Sequence, residues 1–167
     1  MPKYTIDSKT SKLLVTARSS VHNTEIVWQG ISGSVEATAG EDAKAMKADI
    51  AVDMTTADAG DWLKNRKMRK DMQFDKHPAA TFTLGGVDDI TEDGERMTAT
   101  IHGTLQWRGK SVEVRAQGEG SLGQTELVAT GSFDIDMTTL GITPPKVLMI
   151  KVEDVVTCRI ELRATAQ

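Results

Sequence analysis

Apolar residues recur at every second position along most of this chain. Over residues 97–108 one side of the alternation reads Met97, Ala99, Ile101, Gly103, Leu105, Trp107 and the other Thr98, Thr100, His102, Thr104, Gln106, Arg108. Successive side chains of a strand point to opposite faces, so this is a long strand with one dry and one wet side. The C-terminal stretch repeats the pattern, with Val156, Cys158, Ile160, Leu162 and Ala164 set against Thr157, Arg159, Glu161 and Arg163. Met46, Ala48, Ile50, Val52 and Met54 alternate in the same way with Lys47, Asp49, Ala51 and Asp53. Weaker alternation covers residues 13–17, 28–39, 80–87, 112–116 and 127–137, which brings the expected strands to eight.

The breaks between strands read as hairpin turns. Ala39-Gly40-Glu41-Asp42, Glu92-Asp93-Gly94-Glu95, Arg108-Gly109-Lys110 and Ser121-Leu122-Gly123-Gln124 supply the Gly and Asp residues that accept positive φ. Residues 57–75 are the exception. They lack alternation, are rich in helix formers, and begin with Asp58 and Asp61, acids suited to a helix N-terminus. Trp62, Leu63, Met68 and Met72 do not share one helical stripe, so a short helix and an irregular turn before Pro78 are expected.

Eight antiparallel strands with one apolar face each need a partner sheet or closure on themselves. Closure removes both exposed edges and leaves an interior that side chains fill or that holds one small ligand. A β-sandwich could be built from the same strands, but long strands joined by short hairpins favour the barrel. The expected fold is therefore all-β: an eight-stranded antiparallel up-and-down barrel over residues 1–167 as one domain, with a short helical crossover between the third and fourth strands.

Composition narrows the function. Lys and Arg number 20 against 24 Asp and Glu, a net charge of −4, which argues against a domain that grips nucleic acid by bulk charge. The single cysteine, Cys158, forms no internal disulfide, and it alternates with apolar neighbours as an inert core thiol. No apolar run reaches the length of a transmembrane helix. The chain opens Met1-Pro2-Lys3-Tyr4 without an apolar leader. The expectation is a cytoplasmic protein if Met1 is native, and an exported one if a leader was removed.

Several motifs carry less chemistry than their letters suggest. Gly118-Glu119-Gly120-Ser121-Leu122-Gly123 matches the dinucleotide pattern but lacks the following helix, so it reads as a glycine-rich hairpin. Asp89-Ile90-Thr91-Glu92-Asp93-Gly94 starts like a calcium loop, yet its twelfth position is Thr100. His22, His77 and His102 show no metal-ligand spacing, and no metal or other cofactor is expected. Gly30-Ile31-Ser32-Gly33-Ser34 resembles a nucleophile elbow without its helix or a base, so no catalytic residue is assigned. Lys64, Arg66, Lys67, Arg69 and Lys70 read as a solvated helix face flanked by Asp58, Asp61, Asp71 and Asp75, and no nucleic-acid partner is expected. Met46, Met54, Met97 and Met137 fall on apolar faces, where flexible thioethers suit either an adaptable cavity or ordinary core filling.

Four stretches together resemble the YceI-like family. They are Tyr4-Thr5-Ile6-Asp7 followed by Ser11; Phe74-Asp75-Lys76-His77-Pro78-Ala79-Ala80-Thr81-Phe82; Gly103-Thr104-Leu105-Gln106-Trp107-Arg108-Gly109-Lys110-Ser111-Val112; and Leu140-Gly141-Ile142 with Val152-Glu153-Asp154-Val155-Val156. One departure is the early stretch from Leu13 to His22, which carries no aromatic residue where the family alternates Phe and Val. The resemblance implies a lipocalin-like barrel that binds polyisoprenoids or other long amphiphiles. It implies a non-enzymatic carrier of an isoprenoid, quinone tail or fatty amide, and leaves a homodimer open. The rival expectation is a packed barrel acting as a structural or interaction module. In the carrier reading the inward residues Trp107, Leu105, Ile101, Phe82, Leu84, Phe133 and Met137 line the ligand site.

Overall fold

The computed structural model describes residues 3–19, 23–37, 45–142, 146–147, 150–151 and 153–167. Expectations for the Ala39-Gly40-Glu41-Asp42 turn, for His22 and for Val152 fall outside these residues. The strands are β1 (Lys3–Ile6), β2 (Lys12–Arg18), β3 (Asn23–Trp28), β4 (Ile31–Glu36), β5 (Lys47–Asp53), β6 (Ala79–Asp93), β7 (Arg96–Trp107), β8 (Lys110–Leu122), β9 (Glu126–Asp136), the short pair β10 (Lys146–Val147) and β11 (Ile150–Lys151), and β12 (Val155–Ala166). Helix α1 (Trp62–Asp71) lies between β5 and β6. In terms of the expected strands this is the crossover between the third and the fourth.

All main-sheet pairings are antiparallel, and β1 closes the sheet by pairing with β12 from Tyr4↔Ala166 to Ile6↔Ala164. The result is a closed eight-stranded barrel, because β1 with β2, and β3 with β4, each act as one broken strand. The first break explains why β1 was not legible as a strand. Asp7 turns the chain, its carbonyl accepting from the backbone N–H groups of Thr10 and Ser11. Buried Ser11 then replaces lost ladder bonds, its hydroxyl donating to Arg163 O and accepting from Arg163 N. The second break falls at Gln29 and Gly30, so the strand expected over residues 28–39 starts at Ile31 as β4, while Trp28 ends β3, a strand the alternation did not announce. A Cβ on Gly30 would stand 2.8 Å from Asp53 Cβ and Thr56 Cγ2, so only glycine permits this approach.

Two strands end on the same four residues. Asp53-Met54-Thr55-Thr56 and Asp136-Met137-Thr138-Thr139 each form a 3₁₀ turn that buries the methionine. The Asp carboxylate accepts from the N–H and hydroxyl two residues on, and the second Thr hydroxyl donates to the Asp carbonyl. After Asp136 the turn packs against β8, filling a seam where β8 and β9 pair only over Gln117↔Ser132 to Leu122↔Leu127.

Helix α1 is capped by Asp61, whose carboxylate accepts from Leu63 N and Lys64 N. The expected Asp58 contribution to the helix N-terminus is corrected: its carboxylate instead accepts from Gly60 N and Asn65 Nδ2. Those two bonds hold the Asp58 carboxyl below the usual range, with the Asn65 bond the larger cause. The chain leaves the helix through Gln73 at φ 58 and drops Phe74 into the barrel end at 1% exposure. Phe74 meets the Trp28 ring edge-on at 6.2 Å and the Trp107 ring at 6.0 Å. Both indoles are satisfied, Trp28 Nε1 donating to Met54 O and Trp107 Nε1 to His77 O. This aromatic trio closes one end of the barrel. The adjoining β7–β8 turn places Arg108 and Gly109 both at positive φ, the two-residue hairpin geometry expected there.

Candidate ligand-binding cavity

The alternation that builds the barrel also sets the size of its interior. Several inward positions on β7, β8 and β9 are small, namely Ala99, Ala116, Gly118, Gly120, Ala129 and Gly131. Facing them are Phe82 and Leu84 of β6, Ile101 and Leu105 of β7, Phe133 of β9 and Ile160 of β12. The mismatch leaves a cavity of about 210 Å³, lined almost wholly by apolar atoms. Phe82, Leu84, Ile101, Leu105 and Phe133 remain half-exposed although they point to the axis, because they face the void and not another side chain.

The cavity is bordered at the β6–β7 turn by Glu92, Gly94, Glu95, Arg96 and Met97, with Glu119 and Ser121 of β8 beside them. Arg96 is ion-paired with Glu119. The opposite end is shut by the aromatic trio, so the interior is a blind tube with one polar rim.

Five of the seven inward residues expected at the site, Leu105, Ile101, Phe82, Leu84 and Phe133, border this cavity. Trp107 and Met137 do not, which corrects the expectation that all inward residues converge on one space. Trp107 is the last residue of β7 and is held under Phe74, with Arg108 stacked 5.6 Å from its ring. Met137 opens the 3₁₀ turn after β9 and is buried in the packed core.

The dinucleotide-like stretch is the hairpin expected, joining β8 to β9. Within it Gly118 and Gly120 are strand residues of β8 that face inward. A Cβ on Gly118 would come within 2.5 Å of Ile101 Cδ1, and one on Gly120 within 2.9 Å of Val128 O. The signal was present, since Val112, Val114, Ala116, Gly118, Gly120 and Leu122 continue one alternating face. Leu13 and Val35, from the first two barrel positions, also border the cavity and were not singled out.

The remaining candidate groups fall elsewhere. His102 is on the outer face, its Nε2 3.1 Å from Asp88 Oδ2. Asp89-Ile90 forms a bulge of β6, and Gly94 occupies the hairpin turn at φ 63. Ser32 and Ser34 lie within β4, and the chain continues past them as strand to Glu36. Cys158 is buried between Val15 and Phe133 on neighbouring strands, and burial pushes its thiol up to about 12. Among the described residues no group of three or more His, Cys, Asp or Glu is placed to hold a metal ion.

A closed antiparallel barrel with an apolar interior entered from one end defines a lipocalin-like fold. The chain belongs to the YceI-like domain family, whose model matches residues 4–164. The fold is shared with BcnA of Burkholderia cenocepacia at 22% identity and a TM-score of 0.80, covering 96% of this chain and 99% of that one. A polyisoprenoid binding domain from Saccharophagus degradans, implicated in plant cell wall breakdown, matches at 18% identity and a TM-score of 0.77, over 98% of each chain. The YceI protein of Campylobacter jejuni matches at 18% identity and 0.68, covering 89% of this chain and 88% of that one. No curated protein sequence matches the chain. Family membership supports a binding role for the barrel.

Proposed function

We propose that this protein binds a long apolar or amphiphilic molecule, such as an isoprenoid, quinone tail or fatty amide, with its chain inside the barrel and its polar end at the β6–β7 rim. One observation carries the reading: inward apolar side chains on four strands remain half-exposed around an unfilled, one-ended cavity. A barrel evolved only to pack would close this space with a larger inward side chain, for example at Ala129, since interiors otherwise fill to crystal-like density. Each methylene taken from water into the tube contributes about 0.8 kcal/mol, offset by the entropy of ordering the chain. Leu105, Ile101, Phe82, Leu84 and Phe133 are the proposed ligand contacts. The mechanism is burial, with no chemical step assigned to any residue.

Mass spectrometry of an organic extract from natively purified protein tests this directly. A stoichiometric long-chain molecule supports the carrier reading. An empty extract, together with no binding of any member of a panel of long-chain amphiphiles to delipidated protein, overturns it in favour of a structural barrel.

A further inference from the structure

Of the three tryptophans, Trp28 and Trp107 are 5% and 6% exposed, whereas Trp62 is 68% exposed and its neighbour Leu63 66%. Both lie in the first turn of α1. Residues four apart on a helix share a face, so Trp62, Arg66 and Lys70 form one stripe, with Leu63 and Lys67 beside it. All five are exposed, while Asn65 and Met68 are half-buried towards the barrel. Asn65 anchors that inner side through Oδ1, which accepts from Ala59 N. The outer side therefore presents two large apolar groups followed by cations. Arg66 lies 5.6 Å over the Trp62 ring, Lys67 pairs with Asp71, and Arg69 pairs with Asp75. Among the described residues Lys64 and Lys70 make no ion pair.

We propose that this face of α1 docks the protein on the surface of an anionic phospholipid bilayer. The helix carries five cations and one carboxylate in a chain whose net charge is −4, so an anionic surface attracts this element and repels the rest, which fixes the orientation. An indole and a leucine beside basic side chains match the headgroup boundary, where the apolar part is buried and the cations meet lipid phosphates. A nucleic acid would engage the cations but offer Leu63 no apolar phase. Arg108, in the β7–β8 turn, donates from Nη1 to Met72 O just beyond the helix, whereas the cavity opens at the β6–β7 turn. A docked barrel thus keeps its mouth towards solution.

The test uses the full chain with vesicles of phosphatidylcholine alone and with about 30% phosphatidylglycerol, at low and high salt. Because Trp28 and Trp107 are already buried, a blue shift of tryptophan emission reports Trp62. The expected result is co-sedimentation with the anionic vesicles and a blue shift, both reversed by salt. Trp62→Tyr should abolish the shift, Leu63→Ala should weaken co-sedimentation about fivefold, and the double variant Lys64→Gln/Lys70→Gln about thirtyfold. These side chains are exposed, so the urea midpoint should stay unchanged and confirm folded variants. The proposal is overturned if anionic vesicles do not bind, if Trp62→Ala/Leu63→Ala binds as well as the parent, or if RNA competes the protein off vesicles without a Trp62 shift.

Discussion

The indole N–H of Trp107 donates to the backbone carbonyl of His77 at 2.8 Å, fixing the last residue of β7 to the segment that returns from α1. With Phe74 between the two indoles, this bond makes the closed end of the barrel a packed core and separates it from the cavity. Trp107→Phe keeps the ring stacking but leaves the His77 carbonyl without its donor, at an expected cost of about 1–3 kcal/mol. Trp107→Ala should cost about 3–5 kcal/mol through the cavity it opens. Amphiphile affinity should not change in Trp107→Phe, and Trp107 emission should not move when a ligand binds. Urea unfolding and displacement of a fluorescent fatty amide check the two halves.

Ala129 faces the void opposite larger side chains, and the space beside it is unfilled. Ala129→Leu adds three carbons to that space, so stability should stay within about 1 kcal/mol of the parent, or rise. Binding of a long-chain amphiphile should fall about tenfold or more, because the added side chain occupies the ligand's volume. Calorimetric titration beside a urea curve measures both. Unchanged affinity would place the ligand outside the barrel.

Strand parity was legible because it is local: each alternating run carries its own inward face, and the helix between Met54 and Pro78 showed as a gap in the pattern. Features that depend on a distant partner were not legible. The Ser11 hydroxyl is meaningful only beside Arg163, and the four residues of β1 are too few to signal a strand without that closure. Phe74 belongs to no strand, yet the path of α1 brings it between Trp28 and Trp107, which separates Trp107 from the site. Bulges at Gly85 and Asp89 reset the parity of β6, so that Val87 faces inward with Ile101. The string from Gly118 to Gly123 was legible as a hairpin, but the inward facing of Gly118 and Gly120 was obscured, because the alternation of apolar side chains stops at Ala116.

The two identical strand-ending turns should respond alike. Asp53→Ala removes the acceptor for Thr55 N and the Thr55 hydroxyl, at an expected cost of about 1 kcal/mol. Asp136→Ala should move the urea midpoint in the same direction. The hydroxyl and N–H of Thr138 hold the Asp136 carboxyl below its ordinary 3.8. A depressed carboxyl stabilises the fold above its unfolded value, and this contribution is lost as pH falls through the folded value. The parent should therefore lose more stability than Asp136→Ala on acidification below about pH 4. Equal acid slopes would show that the carboxylate contributes nothing as an ion.

Cys158 sets a dependence at the other end of the pH scale. Burial first, and the charge of Asp134 second, push its thiol from 9.0 up to about 12. The folded protein thus keeps the proton in a range where the unfolded chain releases it. Stability from this group is complete below the unfolded value and is lost as pH rises from about 9 towards 12. Cys158→Ala removes a small buried group, so it should lower stability at neutral pH and flatten the decline above pH 9. The same burial predicts that a thiol reagent at about pH 8 labels the protein only as fast as it unfolds. Labelling rates measured across a urea series should therefore track the unfolded fraction. Rapid labelling of folded protein would mean that solvent reaches Cys158, and with it the space between Val15 and Phe133.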